Sequence, residues 1–248
     1  MNGILATRNQ EVSNDFLCRD QIQSIGENAV TVPAYLREVY SWAYLDPRNV
    51  RLLDRQIVVD TLLFLNARRL TRAAMSYVPV AGRTLMAAHV YGELPAILAD
   101  RVGPGGTLDI VDVAPIQIER CWRKIARRPW VSVRHADAEN PGRGPYDTVL
   151  SFMLLHEVPS EKKSRIVNAL LDEIWPGGRA IFVDYHDPDR RNPVRYLLSI
   201  VNDLLEPFAK ELWTAEIRHF ARNESRFAWS KQTYFGGVYQ LVVAKRSP

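Results

Sequence analysis

The sequence lacks the features that mark several large classes of protein. It has two cysteines, Cys18 and Cys121, in 248 residues, and their separation fits neither a disulfide framework nor a zinc site. No segment reaches the ~18 uninterrupted apolar residues that a membrane-spanning helix needs. The formal net charge of +4 is too small to indicate a nucleic-acid partner. These absences favour a protein of a reducing compartment that does not bind nucleic acid.

The N-terminal third of the chain divides into two parts. Residues 1–30 are polar, and we expect them to be loosely ordered. Their first segment, MNGILATRNQEVSNDF, carries acids and has no signal-peptide hydrophobic region, which counts against a targeting segment. Residues 31–78 are expected to form a helical cap. Within the cap, the apolar spacing from Asp54 to Met75 predicts one long amphipathic helix beginning at Asp54.

Aromatic residues are concentrated in the first half of the cap, at Tyr35, Tyr40, Trp42 and Tyr44. Two interpretations remain open, since the rings either pack against the main domain or cover a ligand at the mouth of a pocket.

From residue 79 to the end, short β-rich runs alternate with helical runs, and each run is bounded by turn residues. The alternation predicts an α/β fold with a mostly parallel, seven-stranded sheet covered by helices on both faces. A helix at about 193–213, interrupted near Glu206–Pro207, is expected to act as a lid. The last two strands are expected to give the sheet an antiparallel C-terminal edge.

Basic residues are concentrated on one predicted helix, which also carries Cys121. We interpret the basic residues as a solvated face, not as a phosphate site, and Cys121 as a core residue. The basic set is Arg120, Arg123, Lys124, Arg127 and Arg128.

Acidic residues follow two successive strands. Asp112 ends the second predicted strand, and Asp137 with Ala138 follows the third. Ligands of open α/β sheets lie beyond the carboxyl ends of the strands, where a carboxylate can accept ribose hydroxyls. Asp137 alone is equally typical of a turn. Together, the two acids favour a nucleoside pocket.

The loop after the first strand, AAHVYG at residues 87–92, has an unusual composition. A nucleotide-binding loop normally uses glycine so that the backbone can approach the ligand, and only Gly92 meets that need. His89 and Tyr91 add bulk and chemistry instead. The loop therefore predicts an abnormal nucleoside site.

Three of the five histidines, His89, His156 and His186, fall at predicted strand exits. Asp184 and Asp187 follow the fifth strand close to His186. If these side chains converge, they can serve as acid–base groups or as ligands of a metal.

Several segments between residues 80 and 185 resemble class I S-adenosylmethionine methyltransferases, in particular the ubiquinone/menaquinone C-methyltransferases. They are VDVAPIQIERCWRKI, HADAENPGRGPYDTVLSFMLLHEVP and LLDEIWPGGRAIFVDY. More narrowly, the chain from about 32 to 246 is similar to the RquA family of rhodoquinone biosynthesis proteins. That similarity is carried by VYSWAYLDPRNVRLLDRQIVVDTLLFLNARRLTRAAM, AAHVYG, FMLLHEVP, VDYH and FGGVYQLVVA.

The resemblance implies a Rossmann-like class I fold and a specific reaction. The family replaces a ring methoxy group of ubiquinone by an amino group taken from S-adenosylmethionine, and a manganese ion is implied. The residues expected to contact the cofactor are Ala88, Gly92, Asp112, Val113, Asp137, Ala138, Ser151, Phe152 and Met153. We expect catalytic roles for His89, Tyr91, His156 and His186, and substrate contacts for Tyr40, Tyr44 and Asp184.

The chain departs from the methyltransferase pattern in its first loop. That pattern has an acid at the position of Met86 and glycines at Ala88 and Val90. A nearby carboxylate favours the charged form of an amine, so its loss favours a neutral, nucleophilic amino group. Tyr91 either donates a hydrogen bond to the quinone oxygen or fills the space that the missing glycines leave.

The expected substrate also bears on location. Ubiquinone lies in the bilayer, so transient contact with a membrane surface is expected, with a cytoplasmic location at a bacterial inner membrane; a mitochondrial-type setting stays open. The helix at 193–213 either touches the membrane or packs on the sheet as an ordinary helix. Two other functions remain: a conventional quinone methyltransferase, and a non-catalytic cofactor-binding subunit.

Overall fold

The computed structural model describes residues 30–89 and 91–247. Apart from Val30, the expected loosely ordered N-terminus lies outside these residues, as does Val90 of the loop. Within the described residues, five short helices form the cap and precede the sheet. They are α1 (Ala34–Glu38), α2 (Ser41–Tyr44), α3 (Pro47–Leu53), α4 (Gln56–Leu62) and α5 (Ala67–Met75).

The prediction of one long cap helix from Asp54 is wrong. The chain breaks between α4 and α5, where Phe64 and Leu65 have φ values of 48° and 61°. Asn66 stabilises the break, since its side-chain amide donates to the backbone carbonyl of Phe64 at 2.8 Å. Asp54 does not cap α4 either, because its carboxylate is bound by other residues.

Alternating strands and helices follow the cap and confirm the predicted pattern. The first part is β1 (Arg83–Ala87), α6 (Leu94–Val102), β2 (Thr107–Asp112), α7 (Pro115–Ile125), β3 (Val131–His135), β4 (Tyr146–Phe152), α8 (Ser160–Asp172) and β5 (Ile174–Tyr185). The second part is α9 (Val194–Leu205), α10 (Glu211–Thr214), β6 (Phe227–Tyr234) and β7 (Tyr239–Arg246). Pro95 lies in the first turn of α6, where its missing N–H has no cost.

The seven strands form one sheet in the order β3-β2-β1-β4-β5-β7-β6. Strands β1 to β5 are parallel to their neighbours, and β7 is antiparallel to both β5 and β6. The predicted seven-stranded sheet with its antiparallel C-terminal edge is therefore confirmed. The chain order reverses between β1 and β4, and the carboxyl ends of these strands are where such sheets place their ligands.

Both faces of the sheet are apolar and covered. Ile110 and Ile181 pack with one group of helices, while the adjacent residues Val111 and Phe182 pack with the other. Successive residues of a strand point to opposite faces, so a strand buried on both sides reads as a continuous apolar run. Full burial of each such side chain stabilises the fold by about 1.5–3 kcal/mol.

The segment expected as a lid is interrupted where predicted. Helix α9 ends at Leu205, and α10 begins at Glu211. Only Leu198 and Asn202 of α9 are buried, so packing against the sheet accounts for few of its apolar residues. Within residues 30–89 and 91–247, no helix combines the length and apolar composition needed to cross a membrane.

Candidate functional site

A pocket of about 360 Å³ lies at the carboxyl edge of the sheet, enclosed by the cap and by α9. Its wall brings together most of the residues that the sequence singles out. From the predicted set, the wall includes Tyr40, Tyr44, Ala88, His89, Tyr91, Asp112, Val113, Asp137, Ala138, Phe152, Met153 and His156. The convergence of residues from the cap and from successive strand exits makes this pocket the candidate site.

Asp112 is held at the end of β2 by the backbone around it. Its Oδ1 accepts the N–H of Ala114 at 2.7 Å, and its Oδ2 accepts the N–H of His89 at 2.8 Å. Burial raises the pKa of Asp112 to about 6, although these backbone hydrogen bonds lower it. The N–H of Val113 also donates to this carboxylate, which lines the pocket and is able to accept a hydroxyl from it.

Asp137 makes a turn contact and also lines the pocket. Its Oδ1 accepts the N–H of Glu139 at 3.0 Å, which is a turn contact. It also lines the pocket, close enough to raise the pKa of Asp112. Two carboxylates on one wall, with an ammonium, Lys162, 3.7 Å from Asp137, fit a ligand rich in hydroxyl and amine donors.

The loop after β1 keeps one backbone feature of a glycine loop without the glycine. Ala88 has a φ of 65°, a left-handed conformation that costs a non-glycine residue about 1–2 kcal/mol. The preceding Met86 is completely buried in the core. Met86 stands where the methyltransferase pattern has an acid, so this position provides no carboxylate to the loop.

His89 is locked in a neutral state by its neighbours. Burial first, and then the Lys124 ammonium, lower the pKa of His89 to about 3. Lys124 Nζ lies 3.1 Å from Nε2 and can only donate, so Nε2 accepts and Nδ1 carries the proton. That Nδ1–H donates to Gln117 Oε1 at 2.9 Å.

The hydrogen-bond chain continues from Gln117 to the cap. Gln117 Nε2 donates to the hydroxyl of Tyr91 at 2.8 Å, and that hydroxyl donates to the backbone carbonyl of Ala43. The hydroxyl proton of Tyr91 is therefore already used in a hydrogen bond to the cap. This favours the interpretation in which Tyr91 fills space and fixes the loop over the one in which it donates to a quinone oxygen.

A cluster of charges attaches the loop and α7 to the cap. Asp54, whose side chain is 5% exposed, is bound by Arg120 at 2.7 Å and by Lys124. The N–H of Gly92 also donates to Asp54, at 3.1 Å. The interpretation of the basic helix face as simply solvated is therefore wrong for Arg120 and Lys124, because the cap supplies a buried carboxylate for them.

Aromatic rings of the cap form one side of the pocket. Tyr44 stacks on Tyr91 with parallel rings whose centroids are 5.4 Å apart, and Tyr40 meets Tyr44 edge to face at 6.2 Å. The packing interpretation is supported, since Tyr40 is buried in a core cluster; Tyr40 also lines the pocket, and a contact with a ligand there stays a prediction.

His156 lies above a fully buried carboxylate. Its Nδ1 donates to Asp184 Oδ1 at 2.8 Å, while Asp184 also accepts the N–H groups of Leu154 and Leu155. Burial lowers the pKa of His156, but the charge and hydrogen bond of Asp184 outweigh it and raise the pKa to about 9. At neutral pH His156 is therefore an imidazolium facing the pocket.

Glu157 and Glu206 line the pocket but are not among the site residues predicted from the sequence. Tyr44 donates to Glu157, and Tyr40 donates to Glu206 at 2.9 Å. Burial raises the pKa of Glu157 to about 8, with Glu206 adding to the rise and His156 opposing it. The sequence pointed to Glu157 only through its place next to His156, after β4. For Glu206 the sequence showed only that it lies at the break after α9.

Four predicted site residues lie elsewhere. Among the described residues that line the pocket, Gly92, Ser151, Asp184 and His186 are absent. Ser151 and Asp184 are buried within strands, and Gly92 binds Asp54. His186 contacts the turn between β6 and β7, where its Nδ1 lies 3.1 Å from the carbonyl oxygen of Gly237. A direct substrate contact by Asp184 and a catalytic role for His186 are therefore not supported.

The predicted metal ligands do not converge. Within the part of the chain that the structure describes, no three His, Cys, Asp or Glu side chains are grouped so as to hold a metal ion. Both ring nitrogens of His89 are already bonded, and His156 uses Nδ1 for Asp184. These residues do not fit a manganese ion.

Comparisons with known proteins give a fold and no family. No protein-family model matches the chain, and no curated protein matches it. Solved structures do match. An O-methyltransferase family protein from Burkholderia thailandensis is 15% identical with a TM-score of 0.60, over 96% of this chain and 71% of that one. Human N-acetylserotonin methyltransferase, in complex with SAM, is 14% identical with a TM-score of 0.57, over 93% and 67%.

The match to a third solved structure is shorter. A protein from Bordetella parapertussis, described as a possible exported protein, is 15% identical with a TM-score of 0.56, over 73% of this chain and 66% of that one. The chain thus spans just under two thirds of that protein's length. At such identities the likeness concerns the fold alone. The chain has the Rossmann-like fold of the class I S-adenosylmethionine methyltransferases.

Proposed function

We propose that the chain is an S-adenosylmethionine-dependent transferase that acts on ubiquinone and replaces a ring methoxy group by the amino group of the cofactor. The observation that carries the proposal is a contrast within one pocket. Asp112 and Asp137 remain on the wall for a nucleoside, while buried Met86 leaves the amine end without the acid of the methyltransferase pattern.

The nucleoside half of the proposal is supported by the fold and by the acids. A solved structure of this fold contains SAM, and the carboxyl end of β2 is where the fold places a ribose. Asp112 would accept the ribose hydroxyls, and Asp137 would accept the adenine amine. Ala88 brings its backbone to the pocket in the conformation that glycine favours.

When bound, S-adenosylmethionine would supply the nitrogen that adds to the ring carbon bearing the methoxy group, from which methanol leaves. The bond between that nitrogen and the cofactor's Cα would then have to break: transfer of two hydrogens from the N–Cα unit to the quinone, followed by hydrolysis by water, would release the rest of the cofactor as an α-keto acid and leave the amino group on the reduced ring. The chain's contribution is to keep that amine neutral and to remove its protons. No carboxylate from Met86 stabilises the ammonium, and the imidazolium of His156 faces the same pocket, so the charged form of an amine is disfavoured there.

Glu157 is the base that the geometry favours. Its pKa of about 8 lies near neutrality, where a general base is most effective. It accepts a hydrogen bond from Tyr44, which fixes its position on the wall. Glu157 would accept a proton from the attacking amine, and His156 would donate to the departing methoxide oxygen or to the quinone carbonyl.

The quinone ring would lie between the cap and the sheet. Tyr40, Tyr44 and Tyr185 provide flat apolar surfaces there, and Leu198 and Leu205 of α9 complete the wall. Stacking on aromatic rings suits a planar quinone. The hydrogen bonds of Tyr40 to Glu206 and of Tyr44 to Glu157 tie the cap to the rest of the wall, which excludes water from the reacting atoms. No step in this proposal passes through a metal ion.

The decisive experiment follows the nitrogen. Purified protein is incubated with S-adenosylmethionine labelled with nitrogen-15 on its amino group and with a short-chain ubiquinone, with and without manganese, and the products are analysed by mass spectrometry. A labelled aminoquinone is expected. A methylated quinone would identify a conventional methyltransferase, and label that stays wholly on the cofactor would overturn the proposal.

A further inference from the structure

Helix α9 carries more apolar surface than the fold buries. At about 100° per residue, Tyr196, Leu197, Ile200 and Leu204 fall within one arc of about 100° on the helix. All four are exposed, from 51% for Leu197 to 75% for Leu204. The apolar residues facing the pocket, such as Leu198, lie on a neighbouring arc. Helix α9 therefore has one apolar face towards the pocket and a second towards the outside.

The cap presents a matching exposed surface on the other side of the pocket. Ile57, Leu62 and Leu65 of α4 and the following turn are between 54% and 80% exposed. Leu62 and Phe64 line the pocket together with Leu198 and Leu205 of α9. The exposed residues of both segments thus border one pocket, and we name them the apolar rim: Ile57, Leu62, Leu65, Tyr196, Leu197, Ile200 and Leu204.

The turn between β6 and β7 joins the two halves of the apolar rim. Phe235 stacks on Phe64 of the cap at 5.9 Å between ring centroids. Its carbonyl accepts a hydrogen bond of 2.9 Å from Asn192, just before α9. Beside it, the guanidinium of Arg69 lies 5.1 Å from the ring of Tyr234. The two halves therefore belong to one continuous surface.

Positive charge flanks this surface. Arg68 and Arg69 are exposed at the start of α5, and Arg190 and Arg191 are exposed just before α9; we name these four the basic flank. Asp187 pairs with Arg195, and Asp203 pairs with Lys210 at 2.6 Å. Asp60 of α4 accepts a hydrogen bond from Gln56, and Asp189 is exposed beside Arg190. Exposed apolar residues bordered by arginine are typical of proteins that bind anionic lipid surfaces.

We infer that the apolar rim and the basic flank dock the protein on an anionic phospholipid bilayer, with the pocket opening towards the lipid. A second copy of the chain fits the surface poorly. A two-fold dimer through this surface would bring the basic flank of one copy close to that of the other, and like charges repel. Phospholipid headgroups supply the negative charge that the flank lacks. The inference depends on this surface and not on amino transfer.

The test measures sedimentation of the full chain with vesicles of phosphatidylcholine, with and without phosphatidylglycerol. Wild type is expected to bind the anionic vesicles more tightly. The triple variant Leu197→Gln, Ile200→Gln, Leu204→Gln is expected to lose about tenfold or more in affinity, since it removes most of the α9 apolar face. Arg190→Gln with Arg191→Gln is expected to lose about fivefold per arginine at low salt.

The matched control replaces exposed apolar residues at the opposite edge of the sheet. Val80 precedes β1 and Trp175 lies at the start of β5, and both are about half exposed or more. The variant Val80→Gln, Trp175→Gln is expected to bind vesicles as wild type does. Affinity for S-adenosylmethionine, measured by calorimetry, is expected to be the same in every variant, which separates this test from that of the proposed function.

Four results would overturn the inference, the last of them at the arginines. One is a wild-type protein that does not bind anionic vesicles, and another is a triple variant that binds them as tightly as wild type. The third is a concentration-dependent wild-type dimer that the triple variant abolishes, since the occupant would then be a second copy. Arginine variants with unchanged affinity would remove anionic lipid as the partner.

Discussion

The two ends of the pocket are built from groups of opposite kinds. At the end proposed to bind the nucleoside, Asp112 and Asp137 present carboxylates that line the pocket. At the loop end, His89 donates a hydrogen bond to Gln117, and Tyr91 donates one to the cap. The carboxylates of the first end can accept hydrogen bonds from a ligand, whereas the side chains of the second end are hydrogen-bonded to other residues of the protein. The difference indicates that the loop supports the pocket, and it is consistent with the proposal that Glu157 and His156 exchange protons with the substrate.

The largest expected effect is that of Glu157→Gln. If Glu157 is the base, the substitution lowers turnover by about 10²–10⁴-fold and leaves the affinity for S-adenosylmethionine unchanged. Turnover is measured with the nitrogen-15 assay. Glu161→Gln, which changes a side chain that is 89% exposed on α8, serves as the control. Full turnover in Glu157→Gln would assign the proton to another group.

Asp112→Ala tests the nucleoside end. Charge-assisted hydrogen bonds are worth about 1.5–3 kcal/mol each, so the loss of the carboxylate is expected to weaken S-adenosylmethionine binding by about 100-fold in calorimetry. Thermal unfolding checks that the protein stays folded, because the backbone N–H groups of His89 and Ala114 lose their acceptor. Asp100→Ala on α6 is the control. An unchanged affinity would contradict the proposal that Asp112 binds the ribose.

The pH dependence of stability separates Glu157 from its neighbours. Burial raises its pKa from 4.5 to about 8, so its contribution to stability is fully present below pH 4.5 and is lost as the pH rises through about 8. Across this window wild type is expected to lose stability relative to Glu157→Gln. The free energy of unfolding of both proteins is measured in urea at about every pH unit from pH 4 to pH 9, which shows whether the difference between them has the expected sign. Parallel curves would contradict the raised pKa.

Asp54→Asn tests how the loop end is attached. The substitution leaves Lys124 and Arg120, which are 18% and 21% exposed, without their carboxylate. The broken pair is expected to cost about 2–3 kcal/mol in the free energy of unfolding. The exposed pair of Asp100 with Arg128 provides the control, since Asp100→Asn is expected to cost at most about 1 kcal/mol. Equal costs would mean that the Asp54 cluster is no more than a surface ion pair.

The smallest effect is expected at Ala88. Its φ of 65° suits glycine, so Ala88→Gly is expected to stabilise the protein by up to about 1 kcal/mol in urea unfolding. Ala87→Gly, in the regular part of β1, is expected to destabilise it by about 1 kcal/mol. A destabilising Ala88→Gly would show that the methyl group is needed to pack the loop.

Much of the fold could be predicted because its determinants are local. Strands buried on both faces appear as short apolar runs, and helices between them appear as runs of period 3.6. Asp112 and Asp137 could be assigned to the pocket because parallel strands bring their carboxyl ends to one edge. The break near Glu206–Pro207 followed from proline in the same way.

The long cap helix failed because apolar spacing cannot show where a chain turns. Phe64 and Leu65 adopt left-handed backbone conformations that their side chains do not favour, and contacts such as that of Phe64 with Phe235 hold them there.

The sequence by itself determined the sheet, its order of strands and helices, and the two acids of the nucleoside end. Only the tertiary structure decided which polar residues work together. Asp54 binds Lys124, and Tyr44 binds Glu157, across separations of 70 and 113 residues. No periodic pattern encodes such pairs, because burial and the approach of a distant partner set their charge and their hydrogen bonds.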